Sequence, residues 1–167
     1  MAAIEPEQLS EYFSAYGREL VLFARQWVTN AQAEDVVQEV FIRLIQQSEP
    51  PRNVKAWLFR AVRNAAISLW RSQQRHRKHA EKLAAEQSGW FETRPGDLID
   101  AATAQQILET MPAEQREVVT LRIWGQMTLK EIAEIVGAPV STVFSRYTAA
   151  LEAIRKKMEQ SCPKKTN

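Results

Sequence analysis

Apolar residues recur every three or four positions along most of the chain, the mark of amphipathic helices, and no stretch alternates as a strand would. Leu9, Tyr12, Phe13, Tyr16, Leu20, Phe23 and Trp27 predict a first helix over about 6–29 with these side chains inward. Val36, Val37, Val40, Phe41 and Leu44 predict a second over about 31–47. Trp57, Leu58, Ala61, Val62, Ala65 and Leu69 predict a third over about 53–75. These three make one packed unit. From about Arg77 to Asp100 the periodicity fades, and Ser88, Gly89, Pro95 and Gly96 give that stretch the composition of a linker with a frayed helix at its start. The pattern resumes at Ala101, where Ile107 and Leu108 lead to Met111. Pro112 then opens another helix through Val118, Leu121 and Ile123.

The stretch TLKEIAEIVGAPVSTVFSRY, Thr128 to Tyr147, predicts two helices crossing at a tight turn. Thr128 and Glu131 form a capping box, Ala133 is small where the helices touch, and Gly137 falls at a turn that calls for positive φ. Pro139 suits the first turn of the second helix. Val143, Tyr147, Leu151, Ile154 and Met158 then repeat at helical spacing, which predicts one buried face and one free one. Paired helices of this kind present a helix to DNA, but many regulators share them.

Length and composition, 167 residues with 25% charged and 5 Gly, bound the chain to one or two helical domains. No apolar run approaches the ~20 residues of a membrane span. The start MAAIEPEQLSEYF lacks a signal peptide's basic and apolar regions, so a cytoplasmic location is expected. The single cysteine, Cys162, has no neighbouring acid or base to activate it.

Charge changes the picture more, because it alternates in blocks. Glu5–Glu49 holds three arginines against eight carboxylates, and Arg52–Lys82 holds nine basic residues against one acid. Leu83–Leu121 returns to two basic against seven acidic, and Arg122–Asn167 to eight against four. A basic block on a helix beside aromatics is the usual footprint of a nucleic-acid surface.

Two helices carry candidate chemistry. On the second, Asp35, Gln38, Glu39 and Ile42 lie three or four apart and form an acidic, amide-bearing, partly apolar stripe that suits a protein partner. The competing explanation is that acids early in a helix complement its dipole, which accounts well for Glu34 and Asp35 and less well for Ile42. On the third, Arg60, Asn64, Ile67 and Arg71 share a face that Arg63, Arg75, Arg77 and Lys78 extend. Arginines there neutralise phosphates, and the Asn64 amide offers paired groups to a base edge. Trp70 stacks on an unpaired base or, more commonly for a helical tryptophan, joins the core. The preceding loop, SEPPRNV over Ser48–Val54, is stiffened by two prolines and is either a pocket wall or a rigid turn. His76 and His79 lack a second ligand pair, so no metal site is expected, and no carboxylate cluster suggests catalysis.

Taken in order, QAEDVVQEVFIRL, KAWLFRAVRNAAISLWR and LETMPAEQREVVTLRIWGQMTLKEIAEIVGAPVSTVFSRY resemble the extracytoplasmic-function (ECF) group of the sigma-70 family of bacterial RNA polymerase sigma factors. The resemblance covers nearly the whole chain. It implies an all-α fold of two small helical domains joined by a flexible linker, the C-terminal one containing a helix-turn-helix. Residues 6–78 would be sigma region 2, 79–100 the linker and 101–160 sigma region 4. It implies a non-enzymatic protein, without cofactor or metal, that binds core RNA polymerase and directs promoter-specific initiation.

By position, Asp35, Gln38, Glu39, Ile42 and Arg43 match the surface that docks on the clamp helices of the largest polymerase subunit. Arg60, Arg63, Asn64, Ile67 and Arg71 match the minus-ten element reader, and the loop Ser48–Val54 matches the one that captures a flipped base. Ser141, Thr142, Phe144, Ser145, Arg146 and Thr148 match the minus-thirty-five reader. The flap of the second-largest subunit, promoter DNA and an anti-sigma protein are the further partners the resemblance allows.

The recognition helix departs from the family pattern. Phe144, Thr148 and Ala149 stand where many members are more basic, leaving Arg146 the one charge between Val140 and Glu152. Phe144 presses on a thymine methyl group or packs on the neighbouring helix. The alternative function is a polymerase-independent dimeric helix-turn-helix regulator, which predicts tight binding of a palindromic duplex by the protein alone.

Overall fold

The computed structural model describes residues 4–77 and 101–161. Among them are seven helices and no strand: α1 (Pro6–Ala24), α2 (Asn30–Ile45), α3 (Val54–His76), α4 (Ala101–Thr110), α5 (Ala113–Ile123), α6 (Leu129–Val136) and α7 (Val140–Ser161). They fall into two compact units, α1–α3 and α4–α7. The linker expected over 79–100, and Lys78, His79 and Cys162, lie outside the described residues.

In the first unit each helix is fixed at its start by a side chain. Glu5 and Gln8 form a capping box before α1, with the Glu5 N–H donating to Gln8 Oε1 at 3.3 Å. α1 ends at Ala24, short of the expected Thr29, because Thr29 caps the next helix. The Gln32 N–H donates to Thr29 Oγ1 at 3.4 Å, and the Thr29 N–H donates to Gln32 Oε1 at 3.1 Å. Asn53 starts α3, its Oδ1 accepting from the Ala56 N–H at 3.0 Å.

Leu20, Phe23, Val40, Leu44, Leu58, Phe59 and Val62 are fully buried between these helices. Phe23 stands edge-on to Trp27 with centroids 5.2 Å apart and tilts against Phe59 at 5.5 Å, contacts that add to area burial. Two inward expectations shift. Phe13 is half exposed and meets Phe41 edge-on at 5.2 Å. On α3, Phe59 and Ala66 are buried, whereas Trp57, Ala61, Ala65 and Leu69 are only partly covered. α3 packs against both α1 and α2, so its covered arc is turned from the one that the periodicity suggested.

In the second unit the capping box at Thr128 and Glu131 forms as expected, with the Thr128 N–H donating to Glu131 Oε2 at 2.8 Å. Gly137 adopts φ 69° and ψ 38°, and the N–H groups of Gly137 and Ala138 both reach the Ala133 carbonyl, at 3.0 and 3.2 Å. Pro139 stands immediately before α7 rather than within its first turn, its carbonyl accepting from the Val143 N–H at 3.1 Å.

Val118, Leu121, Met127, Ile132, Val143 and Ala150 form the buried centre. The inward face of α7 follows Val143 and Ala150. Leu151 and Met158, expected inward, are exposed, and Tyr147 and Ile154 lie at the edge. Ile123 is exposed as well.

A Cβ at Gly137 would meet nothing within 4 Å, so the left-handed backbone alone sets its requirement. Gly137→Ala is expected to cost about 1 kcal/mol and Gly137→Asn less, because asparagine tolerates this region better. Chemical denaturation of the two variants checks the order; equal losses would mean the turn does not demand it.

Candidate nucleic-acid and partner interfaces

The exposed side of α2 is built from the i, i+3, i+4 spacing of one helix face. Asp35, Gln38, Glu39 and Ile42 are all exposed there, Ile42 to 55%. Ile45, 46% exposed, extends the apolar part by one turn. Sequence reasoning missed it, although its place three residues after Ile42 was the available signal. Arg43 borders the stripe and pairs with Glu39, so only part of the acidity is neutralised locally.

The position of the helix start bears on the dipole explanation. α2 begins at Asn30, which leaves no acid in its first turn, and Glu34 accepts a hydrogen bond from the Asn30 side-chain amide at 3.1 Å. Dipole effects fade beyond the first turn, so Asp35 is not explained by them.

On α3, Arg60, Asn64 and Arg71 are exposed, and Arg63 and Ile67 are half-buried beside them. Arg63, Asn64, Ile67, Ser68, Arg71 and Arg75 line an open depression of about 490 Å³. Ser68 is its unanticipated member. Such a surface brings guanidinium groups, one amide and one aliphatic side chain together without a carboxylate, as a polyanion requires. Trp70 is 40% exposed rather than part of the core. With the Gln74 amide oriented to satisfy both neighbours, its oxygen accepts from Trp70 Nε1 at 3.2 Å and from an Arg77 N–H at 3.1 Å.

A second cleft, of about 470 Å³, lies between α1 and the loop before α3. The Ser48–Val54 loop thus has a wall opposite it, and that wall includes Tyr12 and Tyr16, which the periodicity had assigned to the core. Both tyrosines are half-buried.

α7 separates the residues that the sequence grouped. Ser141, Phe144, Ser145 and Thr148 are exposed on one face, whereas Thr142 is half-buried. Phe144 is 55% exposed and does not pack away against a neighbouring helix. Ser145 Oγ donates to the Ser141 carbonyl at 3.1 Å, and Thr148 Oγ1 donates to the Phe144 carbonyl. These hydroxyls therefore offer lone pairs outward while their protons are held by the helix. Arg146 lies off this face, its guanidinium 3.6 Å from Glu114 of α5 and its side chain 26% exposed. Farther along, Arg155 bonds both Glu152 and Glu159, and its hydrogen bond to Glu152 is the main cause holding that carboxyl below its ordinary range.

Both units match known families in chain order: Sigma-70 region 2 over residues 12–76 and Sigma-70, region 4 over residues 102–154. The chain is 30% identical over 159 residues to the ECF RNA polymerase sigma-E factor of Escherichia coli strain K12, covering 86% of this chain and 83% of that one. The same-named factor of Haemophilus influenzae is 26% identical over 160 residues, covering 87% and 85%. Among solved structures, the sigma factor RpoE in complex with the anti-sigma factor NepR from Bartonella quintana is similar with a TM-score of 0.74 at 23% identity, over 92% of this chain and 98% of that chain. CnrH in complex with the cytosolic domain of CnrY gives 0.65 at 20% identity, over 95% and 92%. These two structures share the fold.

Proposed function

This chain belongs to the ECF group of the sigma-70 family, a sigma factor directing transcription initiation by RNA polymerase, and we propose that its two helical units divide promoter recognition between them. The α2 stripe of Asp35, Gln38, Glu39 and Ile42, edged by Arg43, docks on the clamp helices of the largest subunit. The α3 face of Arg60, Arg63, Asn64, Ile67 and Arg71 holds the minus-ten element, and the Ser48–Val54 loop captures a base that leaves the stack there. α7 presents Ser141, Thr142, Phe144, Ser145 and Thr148 to the minus-thirty-five duplex, while the flap of the second-largest subunit supports that unit. The domain bounds follow as 6–78, 79–100 and 101–160.

The observation that carries this reading is the pairing of opposite surfaces on one three-helix unit. An exposed acidic and apolar stripe lies on α2, and a cationic depression lies on α3. One surface suits a protein, the other a polyanion.

Opening the duplex by base capture and phosphate contacts needs no hydrolysis, so the chain contributes binding rather than catalysis and works in the cytoplasm beside polymerase. No described helix is long and apolar enough to cross a membrane. An anti-sigma protein is a further partner, by analogy with the RpoE complex with NepR. The dimeric, polymerase-independent regulator is not favoured, because the family matches extend over both units. Reconstitution with purified core from the same cell tests the reading. Promoter-dependent transcripts are expected only when both are present, and folded protein that fails to bind core would overturn it.

With Arg146 turned toward Glu114, the minus-thirty-five face has little positive charge of its own, and core polymerase must supply much of the holding power by fixing both units on one DNA. Exposed ion pairs are weak, so releasing this one has a modest effect. Glu114→Gln is expected to raise holoenzyme affinity for a minus-thirty-five duplex about two- to fivefold, as the freed guanidinium reaches phosphate. Competition binding with labelled duplex measures it; unchanged affinity would mean Arg146 contacts no DNA.

A further inference from the structure

We propose that the cleft between α1 and the loop before α3 is the complete nucleotide pocket, and that Tyr12 and Tyr16 of α1 are its stacking wall. The proposal rests on base capture by the Ser48–Val54 loop and assigns the opposite side of that site to a different helix.

Gln8, Tyr12 and Tyr16 recur every fourth residue, so α1 presents them as one stripe. Pro51, Asn53 and Lys55 close the cleft from the other side. The two tyrosine rings lie nearly parallel, 14° apart in plane with centroids 6.4 Å apart. Lys55 Nζ lies over the Tyr16 ring, 5.9 Å from its centre, so a base stacking on that face displaces the ammonium, which then pairs with the nucleotide's own phosphate. Asn53 Oδ1 is committed to the Ala56 N–H, so the start of α3 is rigid where it meets the cleft. Two consecutive prolines stiffen the loop as well. A rigid slot with an aromatic side and a basic edge suits a planar base carrying a phosphate.

The tyrosines lie outside the fully buried core. Both remain half-buried while Leu20 and Phe23 on the same helix are fully covered. A purely structural pair would stabilise the loop regardless of what the DNA carries, whereas a stacking wall must depend on the base itself.

The test couples protein and DNA changes. Holoenzyme is assembled with wild type, Tyr12→Leu/Tyr16→Leu or Tyr12→Phe/Tyr16→Phe, and open complexes are measured on a mapped promoter. Single abasic nucleotides are placed in turn along the non-template minus-ten strand. Wild type is expected to lose about tenfold at one position, in keeping with the usual contribution of base–aromatic stacking. The leucine variant should start about tenfold lower and lose less than about twofold at that position, and the phenylalanine variant should behave as wild type. If the leucine variant and wild type are equally sensitive to the missing base, the tyrosine wall is wrong while base capture stands. If wild type is insensitive at every position, base capture itself fails, and the wall with it. Tyr12→Leu alone provides the same comparison should the double variant unfold.

Discussion

Asp35→Arg combined with Gln38→Ala is expected to weaken core polymerase binding by about a hundredfold or more, because like charges brought together at an interface cost several kcal/mol. Both side chains are exposed on α2, and neither contributes to the buried set of Val36, Val37, Val40, Phe41 and Leu44. Helix content and thermal unfolding should therefore match wild type, which separates loss of docking from loss of fold. Titration of purified core with fluorescent protein measures the effect. Ile42→Ala is the graded companion: truncating a 55% exposed isoleucine removes little from the free protein and about tenfold from the complex, if the residue is covered there. Core affinity unchanged in the charge-reversed variant would remove the α2 stripe from the interface.

That stripe also shows what the sequence made legible. Its spacing and the buried valines opposite it followed from helical periodicity, and the capping box at Thr128 and the turn conformation of Gly137 followed from residue type alone. The weight to give Asp35 did not, because it depends on where α2 begins. Thr29 caps α2, so the helix begins at Asn30 and Asp35 lies beyond its first turn. Contacts between elements were hidden for a similar reason. Nothing local to Arg146 announces Glu114, thirty-two positions earlier, and nothing local to Tyr12 announces the loop before α3. Uncovered apolar positions were the hardest, since half-buried Tyr16 and exposed Leu151 and Met158 fit the apolar period whether or not a neighbour covers them.

The α3 face yields the second large effect, and two variants divide it by mechanism. Arg60→Ala with Arg71→Ala removes two exposed guanidinium groups that do not line the core. Open-complex formation on a cognate promoter should fall by about a hundredfold, given the usual strength of hydrogen bonds to charged groups. Its dependence on salt should become shallower by about two in the logarithmic slope, near one unit per lost phosphate contact. The loss should be similar on every promoter, because phosphates carry no sequence. Asn64→Ala should act differently. It removes paired amide groups from the depression that Arg71 also lines without changing charge, so the salt slope stays put while about tenfold is lost on the preferred base pair and little on the others. Measuring open complexes across a potassium chloride series, on promoters varied one minus-ten position at a time, distinguishes the two behaviours. An unchanged slope in the double arginine variant would show that these side chains do not meet phosphate. Equal losses at every base in Asn64→Ala would show that its amide positions the strand rather than reading it. Because the two losses arise from separable physical causes, a triple variant should show their product, unless the depression must close around the strand as one unit.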